Sequence, residues 1–319
     1  DKIENVSFIK ELTIGFSKKN KKIPSRFHYD LNGSKYFEKI TKLKEYYVAR
    51  TEKKILKQLS QEMKKIFDNN LTFIEFGSGS ADKISILIND KVKFYIPLDI
   101  SYDFLVKSSI KLAKCFPNLL IIPTYCDYVK KFTLPKKISK NKIGFFLGSS
   151  IGNFYDKKEK KFLQNARKTL GNNSFLFVGV DLIKNKRIIE KAYNDSKGIS
   201  AKFNLNLINR INKVLKTNLK QKDFKYFSYF NEKINSVECF LISKKDQKLF
   251  FCNKEFVIKK NEKIQTEISK KFTFNTFSIL AKSAGWKVKK YWFDKNKYYS
   301  IFLLQNQWLK LNYQDTRKC

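Results

Sequence analysis

The chain has 319 residues, and its hydrophobic content of 42% with 15% aromatic residues excludes a disordered protein. Its 66 Lys and Arg residues against 29 Asp and Glu residues give a formal net charge of +37, which would suit a polyanionic partner. Because the excess is mainly lysine rather than arginine and is spread over the entire chain, we interpret it as compositional bias and expect no nucleic-acid partner.

The short apolar runs and the scattered cysteines indicate in which cellular compartment the protein is expected. The longest apolar runs, such as Phe175–Val180, fall far below the ~20 residues that cross a bilayer, so we expect no membrane segment. Five cysteines form no C-x-x-C pair, which is typical of a reducing, cytoplasmic location. His28 is the only histidine, so we expect neither a metal site nor a Ser-His-Asp or Cys-His mechanism, and we interpret His28 as a packing or surface residue.

Five apolar segments predict the strands of a parallel sheet: Leu71–Phe76, Lys93–Leu98, Leu119–Pro123, Ile143–Leu147 and Ser174–Val180. The intervening segments 81–89, 103–115 and 156–170 have helical periodicity, with Asp156 as an N-cap and Gly171 as a C-terminal stop. This alternation is typical of a doubly wound α/β domain, which binds ligands at the carboxyl ends of its strands.

The remaining elements predict a hairpin and a second domain. Near the C-terminus, a helix over Phe274–Ala284 precedes hairpin strands at Trp286–Phe293 and Tyr298–Leu304. Residues 184–271 differ in character, with the predicted elements Lys186–Asp195, Ala201–Leu215, Val237–Ile242 and Phe250–Ile258. We therefore predict a Rossmann-like domain with a C-terminal antiparallel hairpin, residues 50–183 and 272–319, and a second α+β domain at its ligand edge, residues 1–49 and 184–271.

The turn after the first strand has the local design of a nucleotide-type cofactor site. Gly77 and Gly79 allow close approach to the backbone, and Asp99 ends the next strand 22 residues later, the spacing of an acid that binds ribose. Asp127 and Tyr128 follow the third strand, where they could contact an adenine. Each acid alone could equally cap a helix or lie on the surface, but all of them meet at one sheet edge.

Two other classes of nucleotide-binding enzyme fit this sequence less well. ATP hydrolysis is disfavoured because no Walker lysine follows the glycine turn, and a dehydrogenase would not usually end in a helix and an antiparallel hairpin. The remaining class of enzyme that commonly has this architecture is the S-adenosylmethionine-dependent methyltransferases.

A series of motifs runs in order over nearly the whole chain: Arg26–Asp30, Gly33–Ser34, Phe37–Thr41, Glu45–Glu52, Phe76–Ser80, Pro97–Ser101, Phe146–Asn153, Gly179–Leu182, Ala192–Asp195, Phe203–Asn206 and Thr266–Phe272. Together these motifs resemble the histidine-specific Nα-methyltransferases of ergothioneine biosynthesis. The resemblance implies a methyltransferase domain at 50–183 and 272–319, with the other domain binding substrate. It also implies that S-adenosyl-L-methionine is bound by Gly77, Lys83, Asp99, Asp127 and Tyr128.

Lys83 has a physical reason for this role. We place it at the start of the helix over 81–89, where it could reach the methionine carboxylate that the helix N-terminus also attracts. Taken alone, Lys83 would be interpreted as a solvated lysine in a lysine-rich sequence.

The resemblance also implies a site for an amino-acid substrate between the domains. Tyr46, Asn153 and Tyr193 would surround its carboxylate and amino group, with Tyr29 nearby. We expect Tyr29, Tyr46 and Asn153 to act as the catalytic residues that hold the amine.

Glu267, Ile268 and Ser269 complete the implied substrate site. On a strand, Glu267 and Ser269 point to the same face, where they could satisfy both nitrogens of an imidazole. Side chains lacking those nitrogens would be rejected, because an unpaired buried polar group costs ~1–3 kcal/mol. Without the other motifs, residues 266–272 would be interpreted as an exposed strand leading to a helix cap at Thr273.

The expected function is methylation of the α-amino nitrogen of L-histidine to its trimethylated betaine, hercynine, the first step of ergothioneine biosynthesis, by a monomer. One alternative is methylation of another aromatic amino acid. A second is a basic RNA-binding methyltransferase, against which the loop Gly148–Asn153 argues because it lacks the Asn/Asp-Pro-Pro-Tyr pattern. A third is a non-catalytic relative, which retention of both residue sets disfavours.

Overall fold

The computed structural model describes residues 2–130, 132–135 and 138–306. The α-helices of these residues are α1 (Lys2–Phe16), α2 (Leu31–Thr41), α3 (Tyr47–Ile66), α4 (Tyr102–Cys115), α5 (Lys158–Leu170), α6 (Lys186–Tyr193), α7 (Ile199–Leu215) and α8 (Phe274–Ser283). The strands are β1 (Leu71–Phe76), β2 (Val92–Asp99), β3 (Leu120–Ile121), β4 (Thr124–Tyr125), β5 (Asn141–Phe146), β6 (Phe175–Asp181), β7 (Phe224–Asn231), β8 (Ser236–Ser243), β9 (Gln247–Phe251), β10 (Lys254–Ile258), β11 (Lys263–Lys270), β12 (Trp286–Phe293) and β13 (Tyr299–Asn306).

The central sheet confirms the predicted architecture. Its order is β12-β13-β6-β5-β1-β2, and the short strands β3 and β4 both pair with β2. The strands from β6 to β2 run parallel, whereas the C-terminal hairpin of β12 and β13 joins the edge at β6 in antiparallel orientation.

Helices cover both faces of this sheet because the central strand β1 is buried along its whole length. Phe73 on one face belongs to a core that includes Leu56 of α3, and Ile74 on the other face belongs to a core that includes Phe162 of α5 and Phe277 of α8. Alternating side chains of a strand enter opposite layers, so two helical layers are needed to bury them.

Two of the predicted strands are interrupted. The third strand is divided into β3 and β4 with Pro123 between them, since proline has no N–H to donate to the sheet. The strand predicted over Phe250–Ile258 is a hairpin: Cys252 and Asn253 have φ values of 52° and 55°, and Phe251 pairs with Lys254. Left-handed backbone at both positions of a two-residue loop reverses the chain, and no glycine marked the turn.

Two helix predictions are also wrong in part. Segment 81–89 forms only a single 3₁₀ turn at Ile84–Ile86, because Ala81 has a left-handed φ of 59° and a turn from Asn89 to Val92 ends the segment. Asp156 is not an N-cap, since it also has a left-handed φ and α5 begins two residues later. Gly171, with φ of 80°, ends α5 as predicted.

The second group of elements packs against the N-terminal segment. β11, β8 and β7 form an antiparallel sheet, β9 and β10 form a hairpin, and apolar residues of α1, α7 and these strands share one core. Arg210 of α7 donates a hydrogen bond to the carbonyl oxygen of Phe27 at 2.9 Å. The predicted boundary at residue 50 falls inside α3, and residues 307–319 of the predicted first domain, with Cys319, lie outside the described residues.

His28 lies in the interior at 1% exposure and stacks on Phe203 with a ring separation of 4.6 Å. Its Nδ1 is 2.8 Å from the carbonyl oxygen of Ser25, and burial lowers the pKa of the imidazole to about 4. Across the described part of the chain, no helix is both long and apolar enough to span a bilayer. The same residues contain no cluster of three or more His, Cys, Asp or Glu side chains that could hold a metal ion.

Candidate active site

A cavity of about 710 Å³ lies at the carboxyl ends of the parallel strands. All but one of the residues that the sequence assigned to cofactor or substrate line it: Tyr29, Tyr46, Gly77, Lys83, Asp99, Asp127, Tyr128, Asn153, Tyr193, Glu267 and Ser269. Residues from the glycine turn and from β11 therefore face one continuous space, although nearly 190 positions separate them along the chain.

The glycine turn and Asp99 form one end of the cavity. Gly77 and Gly79 have φ values of 73° and 53°, a backbone that favours glycine. The carboxylate of Asp99 accepts hydrogen bonds from the N–H of Gly79 at 3.1 Å and from the N–H of Ser101 at 3.0 Å. This carboxylate thus fixes the turn and lies at the edge where a ribose would bind.

This end fits an adenosyl cofactor on two observations. A side chain at Gly79 would meet no atom within 4 Å, so the backbone is open to the cavity, whereas one at Gly77 would come within 3.0 Å of the Tyr128 hydroxyl. The buried Ser78 hydroxyl has no hydrogen-bond partner among the described residues. An open glycine cradle with an orphaned hydroxyl and an acidic strand end suits a polar ligand that is approached by the backbone.

The structure corrects the reason given for Lys83. No α-helix begins there, so no helix N-terminus attracts an anion, and the positive charge comes from the ammonium alone. Lys83 Nζ lies 2.8 Å from Oε2 of Glu52, which is completely buried, while Oε1 of Glu52 accepts from the N–H of Gly148 at 2.7 Å and from Tyr299. Glu52 therefore holds Lys83 at the cavity wall and anchors the loop after β5.

Replacing Lys83 with methionine is expected to weaken binding of S-adenosylhomocysteine about tenfold and to lower the melting temperature, because Glu52 keeps a buried charge without its cation. The double variant Lys83→Met, Glu52→Gln removes both charges and is expected to regain stability but not affinity. Calorimetric titration and thermal unfolding measure the two effects separately. Full affinity in the single variant would remove Lys83 from the cofactor site.

A β-bulge in β11 aims Glu267 and Ser269 into the other end of the cavity. Ile264 pairs with Leu241 and Gln265 with Phe240, but the next pair is Glu267 with Cys239, so Thr266 is an extra residue. The bulge shifts the alternation by one position, which puts the odd-numbered Glu267 and Ser269 on the same face as Ile264. Ile268 pairs with Glu238 on the opposite face and does not line the cavity, contrary to the prediction.

Aromatic hydroxyls surround these two side chains. The rings of Tyr46 and Tyr193 meet edge to face at 6.3 Å, and the Tyr193 hydroxyl donates to Ser269 Oγ at 2.8 Å. Burial raises the pKa values of Tyr29, Tyr46 and Tyr193 well above their usual range, so these phenols stay neutral near pH 7. Burial also raises the pKa of Glu267 to about 7, an effect that the positive charge of Lys271 opposes.

No role was predicted for several residues that build the site. Besides Glu52, the buried Glu75 of β1 lines the cavity, accepts a hydrogen bond from Tyr95, and has a pKa raised by burial to about 8. Lys271 and Asp181 form a buried ion pair of 2.7 Å behind the wall of Tyr193 and Ser269. A charged residue inside a fully buried strand is the local signal that could have found Glu75.

The strand order, the glycine turn and the acidic end of β2 together define a protein of the S-adenosylmethionine-dependent methyltransferase class. Magnesium protoporphyrin IX methyltransferase from Synechocystis, solved with bound S-adenosylhomocysteine, has the same fold with a TM-score of 0.50 at 8% identity, covering 88% of this chain and 98% of that one. The family of histidine-specific, S-adenosylmethionine-dependent methyltransferases matches residues 8–306, and the chain belongs to that family. It is therefore an S-adenosylmethionine-dependent N-methyltransferase, as the sequence resemblance implied.

Relatives of known activity are similar over most of the chain. The histidine N-alpha-methyltransferase of Mycolicibacterium smegmatis is 26% identical over 89% of this chain and 90% of its own length. Ergothioneine biosynthesis protein 1 of Neurospora crassa is 29% identical over 90% of this chain but only 34% of its own length. The 4-dimethylallyltryptophan N-methyltransferase of Penicillium roqueforti is 25% identical over 92% of both chains.

Proposed function

We propose that the protein methylates the α-amino nitrogen of L-histidine three times to give hercynine, as the first step of ergothioneine biosynthesis. The observation that carries this proposal is the single cavity that joins the glycine turn to a carboxylate and a hydroxyl on one face of β11. Glu267 accepts a hydrogen bond from one imidazole nitrogen and Ser269 bonds the other. The names of the bacterial and fungal relatives support histidine as substrate and ergothioneine as the pathway.

At the cofactor end, we assign Gly77, Lys83, Asp99, Asp127 and Tyr128 to S-adenosyl-L-methionine. The carboxylate of Asp99 binds ribose hydroxyls, Asp127 and Tyr128 contact the adenine, and Lys83 binds the methionine carboxylate. When bound, the cofactor supplies a methyl group on a sulfonium, which is already a strong electrophile. The protein must therefore chiefly position the accepting amine.

At the substrate end, Tyr46, Asn153 and Tyr193 hold the carboxylate and the amino group, with Tyr29 beside them. Because burial keeps the tyrosines neutral, their hydroxyl lone pairs can accept hydrogen bonds from the amine and orient it. A substrate that fills this end of the cavity would exclude water, and the lower local dielectric would strengthen each of these hydrogen bonds.

The test is incubation with S-adenosylmethionine and an equimolar mixture of all amino acids, followed by mass analysis of the products. We expect histidine that is about 42 mass units heavier, because each of three transferred methyl groups replaces a hydrogen and adds about 14 mass units. Methylation of a different amino acid would overturn the substrate, and accumulation of only a monomethyl product would overturn the trimethylation.

A second candidate is another aromatic amino acid, which the relative that acts on 4-dimethylallyltryptophan favours. The same mixture decides between the two. An RNA methyltransferase is tested by adding total RNA to the assay, because the net charge of +37 would support salt-sensitive RNA binding. RNA-dependent methyl transfer would then replace histidine as the function.

We further propose that the enzyme works in the cytoplasm as a monomer without a nucleic-acid partner. Residues 50–183 with 272–319 form the cofactor-binding domain, which also contributes Asn153 to the substrate site, and residues 1–49 with 184–271 form the substrate-binding domain. Size-exclusion chromatography with light scattering measures the oligomeric state directly.

A further inference from the structure

Lys271 is a completely buried lysine directly behind the substrate wall. Its ammonium has three hydrogen-bond donors and three acceptors: Asp181 Oδ2 at 2.7 Å, the Tyr193 hydroxyl at 2.8 Å and Ser269 Oγ at 2.9 Å. Lysines are almost never buried to this degree unless they are paired. Two of these three acceptors are side chains of the cavity wall, so Lys271 joins the core to the substrate site.

The hydrogen bonds around Ser269 determine what it can offer a ligand. Its oxygen accepts from the Lys271 ammonium, and when the Tyr193 hydroxyl donates to it as well, both of its lone pairs are used. Its own O–H has no acceptor among the described residues and lies at the cavity surface. With the Tyr193 hydroxyl as the donor of their shared hydrogen bond, Ser269 offers a ligand its own O–H, while the neighbouring carboxylate of Glu267 is the acceptor.

We propose that Lys271 is a positioning residue that fixes Ser269 as a hydrogen-bond donor and Glu267 as an acceptor, so that the site selects the neutral imidazole with one N–H and one bare nitrogen. This proposal rests on the proposed function for the identity of the ring. A charged imidazolium would set an N–H against the Ser269 O–H, so it is rejected at that nitrogen.

The electrostatics around Glu267 agree with this role. Lys271 is the cation that lowers the pKa of Glu267 against the effect of burial. The other ionisable groups that interact with Glu267 come from several elements and are kept neutral by burial: Tyr29, Tyr46, Tyr155, Tyr193, Tyr226 and Cys239. Among these described neighbours, Lys271 alone favours the charged carboxylate.

The chain provides a matched control for substitution of Lys271. Lys184 is also buried and pairs with the same carboxylate, at Asp181 Oδ1, but its other partner is Tyr47, and it does not line the cavity. Lys271→Met and Lys184→Met each leave Asp181 with one lysine and with the Tyr47 hydroxyl, so both remove the same kind of buried ion pair.

The first measurement is histidine affinity in the presence of saturating S-adenosylhomocysteine. We expect Lys271→Met to raise the Kd for histidine about 30-fold and Lys184→Met to change it less than about threefold. Adding Ser269→Ala should weaken binding about tenfold in the wild-type protein but less than about twofold in Lys271→Met, because Ser269 is no longer held as a donor. A purely structural role for Lys271 would give additive losses.

The second measurement needs no substrate. In protein labelled with ¹³C at the glutamate carboxyl group, the Glu267 signal is assigned by its absence from Glu267→Gln and followed with pH. We expect Lys271→Met to raise the pKa of Glu267 by about one pH unit and Lys184→Met to leave it unchanged. Lys271→Gln retains a hydrogen-bond donor without the charge, and it replaces Lys271→Met if that variant does not fold. We expect it to raise the pKa of Glu267 equally but to lose less affinity for histidine.

The outcomes separate the two proposals. A wild-type protein that neither binds nor methylates histidine would overturn the proposed function, while the glutamate titration would still decide the role of Lys271. Histidine methylation by the wild-type protein with equal Kd values and equal Glu267 titrations in Lys271→Met and Lys184→Met would overturn the role of Lys271 alone.

Discussion

Replacing Glu267 with alanine is expected to lower kcat/KM for histidine about 100-fold while leaving the Kd for S-adenosylhomocysteine within about twofold. The carboxylate is the acceptor for the imidazole N–H in the proposed complex, and its removal leaves that donor buried and unpaired. The cofactor residues lie at the other end of the cavity, so their affinity for ligand is expected to persist. Steady-state kinetics and calorimetric titration measure the two quantities.

Glu238→Ala is the control for this experiment. Glu238 lies on β8, and it accepts hydrogen bonds from Tyr229, Asn231 and Gln265 on the sheet face away from the cavity. Its removal should destabilise the sheet without altering histidine kinetics. Unchanged histidine kinetics in Glu267→Ala, or an equal loss in Glu238→Ala, would contradict the assignment of Glu267 to the imidazole.

The pH dependence of this acceptor follows from its burial. The pKa of Glu267 is about 7, so the charged carboxylate accumulates as pH rises through that value, and histidine binding should strengthen over the same range. Free histidine also titrates near this pH, so the Glu267→Gln variant supplies the baseline. The stability of the folded protein depends on pH in the opposite direction. A carboxyl whose pKa is higher in the folded than in the unfolded protein loses stabilising free energy as pH rises between the two values.

Replacing Asp99 with alanine is expected to raise the Kd for S-adenosylhomocysteine about 100-fold, because hydrogen bonds to a charged group contribute about 1.5–3 kcal/mol each. The variant removes the acceptor for ribose hydroxyls and also releases the N–H groups of Gly79 and Ser101. Asp99→Asn retains one carbonyl oxygen and should lose about tenfold. Isothermal titration measures both.

Asp103→Ala serves as the control, since Asp103 is an exposed acid four residues further on, in the first turn of α4. The Kd of this variant should stay within about twofold of the wild-type value, because Asp103 does not line the cavity and its exposed charge is screened by salt. If Asp99→Ala bound S-adenosylhomocysteine as tightly as Asp103→Ala does, the ribose would have to lie elsewhere.

The local sequence pattern was sufficient for the elements of the central sheet. β1 and β12 have the predicted bounds, and β2, β5 and β6 begin and end within two residues of their predicted bounds. A continuously buried strand or a regular alternation of apolar and polar residues is a strong sequence signal for a strand. The segment around Lys83 shows where the local pattern no longer predicts the structure. This segment contains apolar residues at helical spacing, but the left-handed backbone at Ala81 and the turn at Asn89 depend on contacts with the rest of the protein.

The ion pairs that support the site could not be predicted, because their partners are far apart in the sequence. Glu52 and Lys83 are 31 positions apart, and Lys271 meets Asp181 across 90 positions, so neither pair has a local spacing that indicates contact. Such pairs form only when the topology brings two elements together. The sequence resemblance marked the segments that contain Glu52, Asp181 and Lys271 and implied a cofactor role for Lys83, but it supplied no side-chain partner for any of them.

The bulge at Thr266 has a consequence for comparing distant relatives. Because Thr266 is the extra residue, a relative that lacks it can keep the pairs of Gln265 with Phe240 and of Glu267 with Cys239 in a regular strand. A gap assigned after Ser269 instead of at Thr266 would align Glu267 and Ser269 with residues on the opposite face of the sheet, and Thr266 and Ile268 with the two residues that line the cavity. In a family with identities near 26%, substrate preference is therefore best inferred from strand pairing rather than from residue columns alone.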